Sequence, residues 1–291
     1  MKSTLTLLSL FFYFSTSWIS TAQVTNQSIL WEISGKDLVK PSYLLGTMHL
    51  IPQKDFIYPP IIDSILNKSN EIIFEIDLRE MEDMNALLEV MMKSFMQGTN
   101  LQSLVSLEEY ELIKNYFSTQ GLPMYVLDRL KPLFLHALAE SNSLDQSETT
   151  ISYELELYKK AISKNKIISG LETMAFQMSI FDSIPYRDQA KMLIKSIQLE
   201  ENKVDALQNM IDLYKKGAIE ELYQLVAEED EKITEIMIHR RNLNWVGQME
   251  EKMKNHIGLY AVGAGHLGGP KGLIQLLSAK GYQVQAVPLS R

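Results

Sequence analysis

Between the apolar run Tyr43-Leu44-Leu45-Gly46 and the β-rich run Glu71-Ile72-Ile73-Phe74-Glu75-Ile76-Asp77 there is room for one short helix and little else. Pro59-Pro60-Ile61-Ile62 opens that helix, since proline suits a first turn, and the apolar spacing carries it to about Asn67. Two strands joined through a crossover helix run parallel, so the spacing predicts a βαβ unit. The far end of the chain repeats the plan. Ile257–Val262 reads as a strand, Pro270 begins a helix, Gly281 ends it, and Tyr282–Val287 is the closing strand. A chain that opens and closes this way is constrained to an open sheet covered by helices.

The remaining segments fill in that frame. Ile29-Leu30-Trp31-Glu32-Ile33 alternates like a strand and turns at Gly35-Lys36-Asp37, which predicts a hairpin with the run ending at Gly46. Asn165–Gly170 reads as a short buried strand in mid-chain. The rest, from about 80 to 255, has helical spacing. Ser106-Leu107-Glu108-Glu109 has the form of a capping box, and Gly121 stands where a C-terminal cap falls. Residues 148–163 have helical spacing, Pro185 restarts a helix, and helical patterns run on through Lys254. The expected fold is α/β, with a mainly parallel sheet built from N- and C-terminal βαβ units and a large helical insertion or lobe. Met81, Met84, Met91, Met92 and Met96 fall at helical spacings, which predicts core packing; an adaptable groove for peptides or lipids is the alternative.

Residues 1–22 are expected to form a secretory signal peptide. Met1-Lys2 is a short basic start, Leu5 to Phe14 is almost unbroken apolar sequence, and Ser20-Thr21-Ala22 offers small residues before a cut at Gln23. An uncleaved anchor is the rival reading, but the apolar stretch is marginal for spanning and its flank is weakly charged, which favours cleavage; no later run approaches the roughly 20 apolar residues of a spanning helix. The expectation is therefore a single exported domain, residues 23–291, periplasmic or secreted, with no transmembrane segment after cleavage. The net charge is -8 and no basic stripe occurs, which argues against a nucleic-acid partner. The absence of Cys excludes disulfides, thiol catalysis and Cys-ligated zinc.

Candidate chemistry gathers at strand ends. The chain holds five histidines, and two of them come after a strand through a glycine-containing turn: Gly46-Thr47-Met48-His49 and Gly263-Ala264-Gly265-His266. Glu75 and Asp77 come late in the strand 71–77, and Glu172 comes after the mid-chain strand. In a parallel sheet these C-terminal ends share one edge, and ligands bind at that edge. Two imidazoles and one or two carboxylates are the donor set of a first-row divalent ion. Plainer readings stand beside this one. His49 could be a turn histidine bonded to backbone, and Glu75 could lie on a solvated strand face, although a parallel strand is normally covered on both sides. Arg240-Arg241-Asn242 could clamp a carboxylate or stabilise an oxyanion, and composition alone favours a surface ion pair. His136, His239 and His256 carry no supporting pattern. Gly263-Ala264-Gly265-His266-Leu267-Gly268 also fits G-x-G-x-x-G, but no Asp or Glu occurs beyond Glu251, so the ribose-binding acid of a dinucleotide fold is missing.

These motifs together resemble the TraB/GumN family, which includes the Tiki proteins and is related to the ChaN/erythromycin-esterase group. The matching pieces are Tyr43–His49, Ile73–Asp77, Gly170-Leu171-Glu172-Thr173 with Gln177, Arg241-Asn242, and Val262–Gly269, in order along nearly the whole mature chain. The resemblance implies two Gly-x-x-His motifs sharing a site with the strand glutamate. It makes His49, His266 and Glu75 the expected metal ligands, with Glu75 a third ligand or the general base. It raises Arg241 and Asn242 to site residues, and Glu172 joins them as a further catalytic-site candidate. The implied activity is that of a metalloprotease-like hydrolase, acting on a peptide or small-molecule substrate with manganese, cobalt, zinc or iron. The alternatives are a non-catalytic protein of the cell envelope that sequesters a peptide or other ligand, and a structural envelope component that keeps the fold.

Overall fold

The computed structural model describes residues 27–142, 149–199, 203–227 and 231–289. The expected leader, residues 1–22, lies outside the described residues. Among the described residues, eight strands form two sheets: β1 (Leu30–Ser34), β2 (Ser42–Thr47), β3 (Ile51–Pro52), β4 (Glu71–Ile76), β5 (Thr150–Ile151), β6 (Ile167–Glu172), β7 (Gly258–Gly263) and β8 (Gln283–Ala286). The main sheet has the order β6-β4-β7-β2-β1-β8, and β3 pairs with β5. Pairing is parallel from β6 through β4 and β7 to β2, while β1 runs antiparallel to both β2 and β8. This is the expected α/β fold with a mainly parallel sheet, and β1–β2 is the expected hairpin.

The strand order holds one feature that no local pattern in the chain specifies. β7 inserts between β2 and β4, so the first strand of the C-terminal unit lies at the centre of the N-terminal unit. The helix Pro60–Lys68 begins on Pro60, as its sequence demanded, and buries Ile62, Ile65 and Leu66 beside the sheet. β2 is buried along its whole length and β7 at all but its last residue. Central parallel strands covered on both faces require such runs.

Helices occupy most of the described residues between Met84 and Met253. The Ser106 capping box forms in full, and Gly121 takes φ of 74° just past the helix Leu107–Thr119. Three expectations need correction. The stretch 148–163 is not helical throughout: Thr150–Ile151 pairs with β3, and the helix begins at Tyr153 behind its Ser152 cap. The last helix begins at Leu273 rather than Pro270. Gly269 takes φ of 80°, its carbonyl accepts the Gly272 N–H, and Asn242 captures the Lys271 carbonyl, so the chain is held in a turn through 272. The methionine stretch is not core. Met81, Met84, Met91 and Met92 are exposed and only Met96 is buried. The helix Met84–Lys93 buries no residue, because it packs mainly on the single helix Met174–Ile180 and leaves its stripe of Met84, Leu88, Met91 and Met92 outward.

Candidate functional site

The insertion of β7 decides which side chains meet. β2 ends at Thr47 opposite Gly263 of β7, so the turns that carry His49 and His266 leave adjacent strands at the same edge. Glu75 comes from β4, on the other side of β7. Its Oε1 accepts the Gly263 N–H at 2.8 Å. Gly263 marks the meeting point. A Cβ built there would stand 3.2 Å from Glu75 Oε1, 3.7 Å from His266 Cδ2 and 4.0 Å from His49 Nε2.

His266 is buried and closely held. Asn242 Nδ2 donates to the carbonyls of His266 and Lys271, at 3.1 and 2.9 Å, so its Oδ1 is left to accept from His266 Nδ1–H at 2.7 Å. That fixes the tautomer and leaves the Nε2 lone pair to face Arg241 Nη1 at 3.3 Å, with Glu75 Oε1 3.8 Å away. The ring also packs on Trp245, centroid to centroid 4.4 Å. Burial pushes the His266 imidazole down to about 3, so it is neutral at physiological pH.

Arg241 lies behind the pair. Nη2 reaches Glu75 Oε2 at 2.7 Å and Glu172 Oε2 at 2.9 Å, Nε donates to both Glu172 oxygens, and Nη1 lies 3.3 Å from His266 Nε2. Gln177 Nε2 bridges Glu75 and Glu172 at 3.3 and 3.4 Å. The plain readings of Arg241 as a surface ion pair and of Glu75 as part of a solvated face therefore fail: both side chains are about 10% exposed. Burial alone would push the Glu75 carboxyl up. At the acid pH where it titrates, the charge of a then-protonated His266, followed by that of the Arg241 guanidinium and of His49, with the Gly263 N–H, outweighs burial and holds it well below the usual carboxylate range.

His49 stands at the front, with its side chain 71% exposed. Its Nδ1 lies 2.9 Å from Glu154 Oε1. That hydrogen bond pushes the imidazole up to about 9. Glu154 was invisible to sequence reasoning. It stands just beyond the helix-capping Ser152, at a position where an acid suits any helix start, so nothing local distinguished it. Asp77, by contrast, turns out of the group: its carboxylate accepts the Arg79 N–H and pairs with the Arg79 side chain. His239 is buried between Tyr223 and Glu235, away from these contacts, and His256 is exposed.

The π-helical turn Glu235–His239 runs directly into the helix Arg240–Met253. Such turns rotate the facing of the helical residues beyond them, and here the buried face carries Arg241, Asn242 and Trp245 together. Among the described residues no three His, Asp or Glu side chains stand as a finished metal cluster, and the Arg241 guanidinium is bonded to Glu75 within the group. The donors nevertheless suit a divalent ion by their chemistry. Each imidazole has Nδ1 engaged by an oxygen, His49 brings Nε2 and His266 its Cδ2 edge toward the same point, and the Glu75 carboxylate stands beside them.

The TraB/PrgY/gumN family matches residues 29–286, which takes in every residue of the group. The chain belongs to the TraB/PrgY/gumN family. It is also similar to a metalloprotease TIKI homolog from Amphimedon queenslandica, with 22% identity over an alignment covering 94% of this chain and 64% of that protein. The chain thus spans less than two thirds of that relative's length. No solved structure matches. Within this TraB/PrgY/gumN chain, the motifs read from sequence fall on one sheet edge, and His49, Glu75, Glu172, Arg241, Asn242 and His266 all meet there.

Proposed function

We propose that this chain is an exported, metal-dependent hydrolase acting on peptides. The observation that carries the reading is the approach of His49 Nε2, His266 and Glu75 Oε1 to one point above Gly263. Under this reading His49, His266 and Glu75 hold a divalent ion such as manganese, cobalt, zinc or iron. Such an ion supplies Lewis acidity toward a carbonyl and toward water.

The chain's own residues supply the rest. Glu75, kept ionised by Arg241, serves as a ligand or as the base that receives a proton from the attacking water. Arg241, anchored by Glu172, remains cationic and stabilises negative charge that develops beside it. Asn242 keeps the His266 lone pair on the correct nitrogen. Similarity to a metalloprotease homolog supports a peptide substrate. Export enters the reading through the apolar run Leu5–Phe14 and the small residues before Gln23.

One observation favours a second reading, capture of a peptide or other ligand without turnover. The outward stripe of Met84, Leu88, Met91 and Met92 lies on a helix packed against Met174–Ile180, and that second helix also directs Gln177 toward Glu75. Flexible thioethers suit varied apolar ligands.

Elemental analysis of residues 23–291, prepared without a metal-binding tag, tests the first reading against an H49A/H266A variant. Near-stoichiometric metal in the parent and none in the folded variant supports it. No metal in either, after reloading with each candidate ion, leaves the capture reading in its place.

A further inference from the structure

Glu154 is the most heavily engaged carboxylate facing the site that none of the family motifs contains. It is the second residue of the helix Tyr153–Ser163. Its side chain is 12% exposed, although it faces a histidine that is open to solvent. Thr47 Oγ1 donates to Oε1 at 2.6 Å, Ser152 Oγ donates to Oε2 at 3.1 Å, and His49 Nδ1 lies 2.9 Å from Oε1. The carboxylate therefore ties the end of β2, the helix cap and the His49 ring into one unit.

The chemistry of that contact has one polarity. An ionised carboxylate only accepts hydrogen bonds, so His49 must present Nδ1–H to it. Nε2, on the opposite side of the ring, is the atom brought near Glu75 and His266. We propose that Glu154 is the positioning residue for His49: it fixes the ring orientation and keeps Nδ1 protonated, so that Nε2 is the nitrogen delivered to the shared point. This rests on the reading of His49 as a metal ligand. It also explains an asymmetry, since the buried His266 is oriented by a neutral amide and the exposed His49 by a carboxylate. A ring in water loses orientation to solvent, and a charge-assisted bond holds it more strongly than a neutral one.

The plain alternative is that Glu154 only stabilises the start of its helix, where an acid is favoured. A double-mutant cycle separates the two, with Co²⁺ as the probe and the chain from residue 23 to 291. If Glu154 acts through His49, E154A weakens Co²⁺ binding by about 10- to 100-fold. E154Q, which keeps an acceptor, recovers most of that loss. In an H49A background E154A then changes affinity by less than about twofold, because the partner it orients is gone. An equal loss in both backgrounds overturns the proposal.

A second readout needs no metal. Proton–nitrogen spectra of the metal-free protein should show a protected His49 Nδ1 proton in the parent and in E154Q, and lose it in E154A. Absence of that proton in the parent overturns the proposal even if Co²⁺ binds. If the parent binds no Co²⁺ but the proton appears and vanishes with E154A, His49 is still positioned by Glu154 and it is the ligand reading that falls.

Discussion

Arg241 Nη2 lies 2.7 Å from Glu75 Oε2 and 2.9 Å from Glu172 Oε2, so one buried guanidinium serves two buried carboxylates from adjacent strands. Two like charges sharing one partner repel, and the guanidinium between them offsets that repulsion. The helix Arg240–Met253, by presenting Arg241, together with Gln177 lets β4 and β6 both carry a glutamate inward.

R241A should accordingly be a stability variant before it is an activity variant. Removing one partner from a buried ionic group leaves uncompensated charge and costs about 3–5 kcal/mol. R241K should recover only part of this, since an ammonium cannot reproduce the forked contacts to both carboxylates. Urea denaturation of the three proteins measures it. A loss below about 1 kcal/mol for R241A would show that the trio behaves like an exposed ion pair.

Much of this arrangement is legible in the chain, and the reason is local. Alternation marks β1, apolar or β-rich runs bounded by turns mark β2, β4 and β7, and parallel topology then puts His49, Glu75 and His266 at one edge without any contact being known. What local pattern cannot carry is sheet order. The insertion of β7 between β2 and β4 is a pairing across most of the chain, and it alone brings Gly263 against Glu75. Glu154 was missed for the same reason, since its partner is 105 residues away. Arg241 looked like surface charge because composition records neither burial nor partners. The methionine stripe misled in the opposite sense: helical spacing reports that one face is apolar, not that anything covers it.

Asn242 gives a test of the His266 tautomer. Its amide donates to two carbonyls and accepts from Nδ1–H, a combination no carboxylate can supply. N242D should therefore be worse than N242A, although it is the closer shape. It places acceptor against acceptor at His266 O and Lys271 O. We expect N242A to lose about 1–3 kcal/mol, the usual cost of stranding a buried polar group, and N242D to lose more. Equal stability of the two variants in thermal melts would contradict the assigned amide orientation.

Gly263 tests the shared point directly. Its backbone, φ -52° and ψ 133°, is open to any residue, so alanine introduces no strain there. The added methyl would nevertheless stand 3.2 Å from Glu75 Oε1, amid the three proposed ligands. G263A should melt within a few degrees of the parent, yet bind a divalent ion at least about tenfold more weakly, as misplacement at a site of this kind demands. A folded G263A with parental affinity would remove the ion from this location.

The His49–Glu154 contact should also make the metal-free protein less stable in alkali. Folding raises the His49 pKa from its ordinary value to about 9, first through the hydrogen bond to Glu154 and further through the charge of that carboxylate. A group whose pKa is raised on folding binds more protons in the native state, so stability falls as pH rises through the window between the two values. The contribution is complete below about pH 6.5, where both states are protonated. It is lost progressively as the pH climbs to about 9, where the folded imidazole gives up its proton. The side chain is 71% exposed, so solvent screening keeps the effect modest, and its direction is the test. Denaturation midpoints of the chelated parent and of H49Q, measured at about pH 6 and again at about pH 9.5, give the comparison. The parent should lose more stability than the variant over that interval. Equal losses would show that the His49–Glu154 contact does not persist in the metal-free protein, and a larger loss in H49Q would reverse the sign of the linkage.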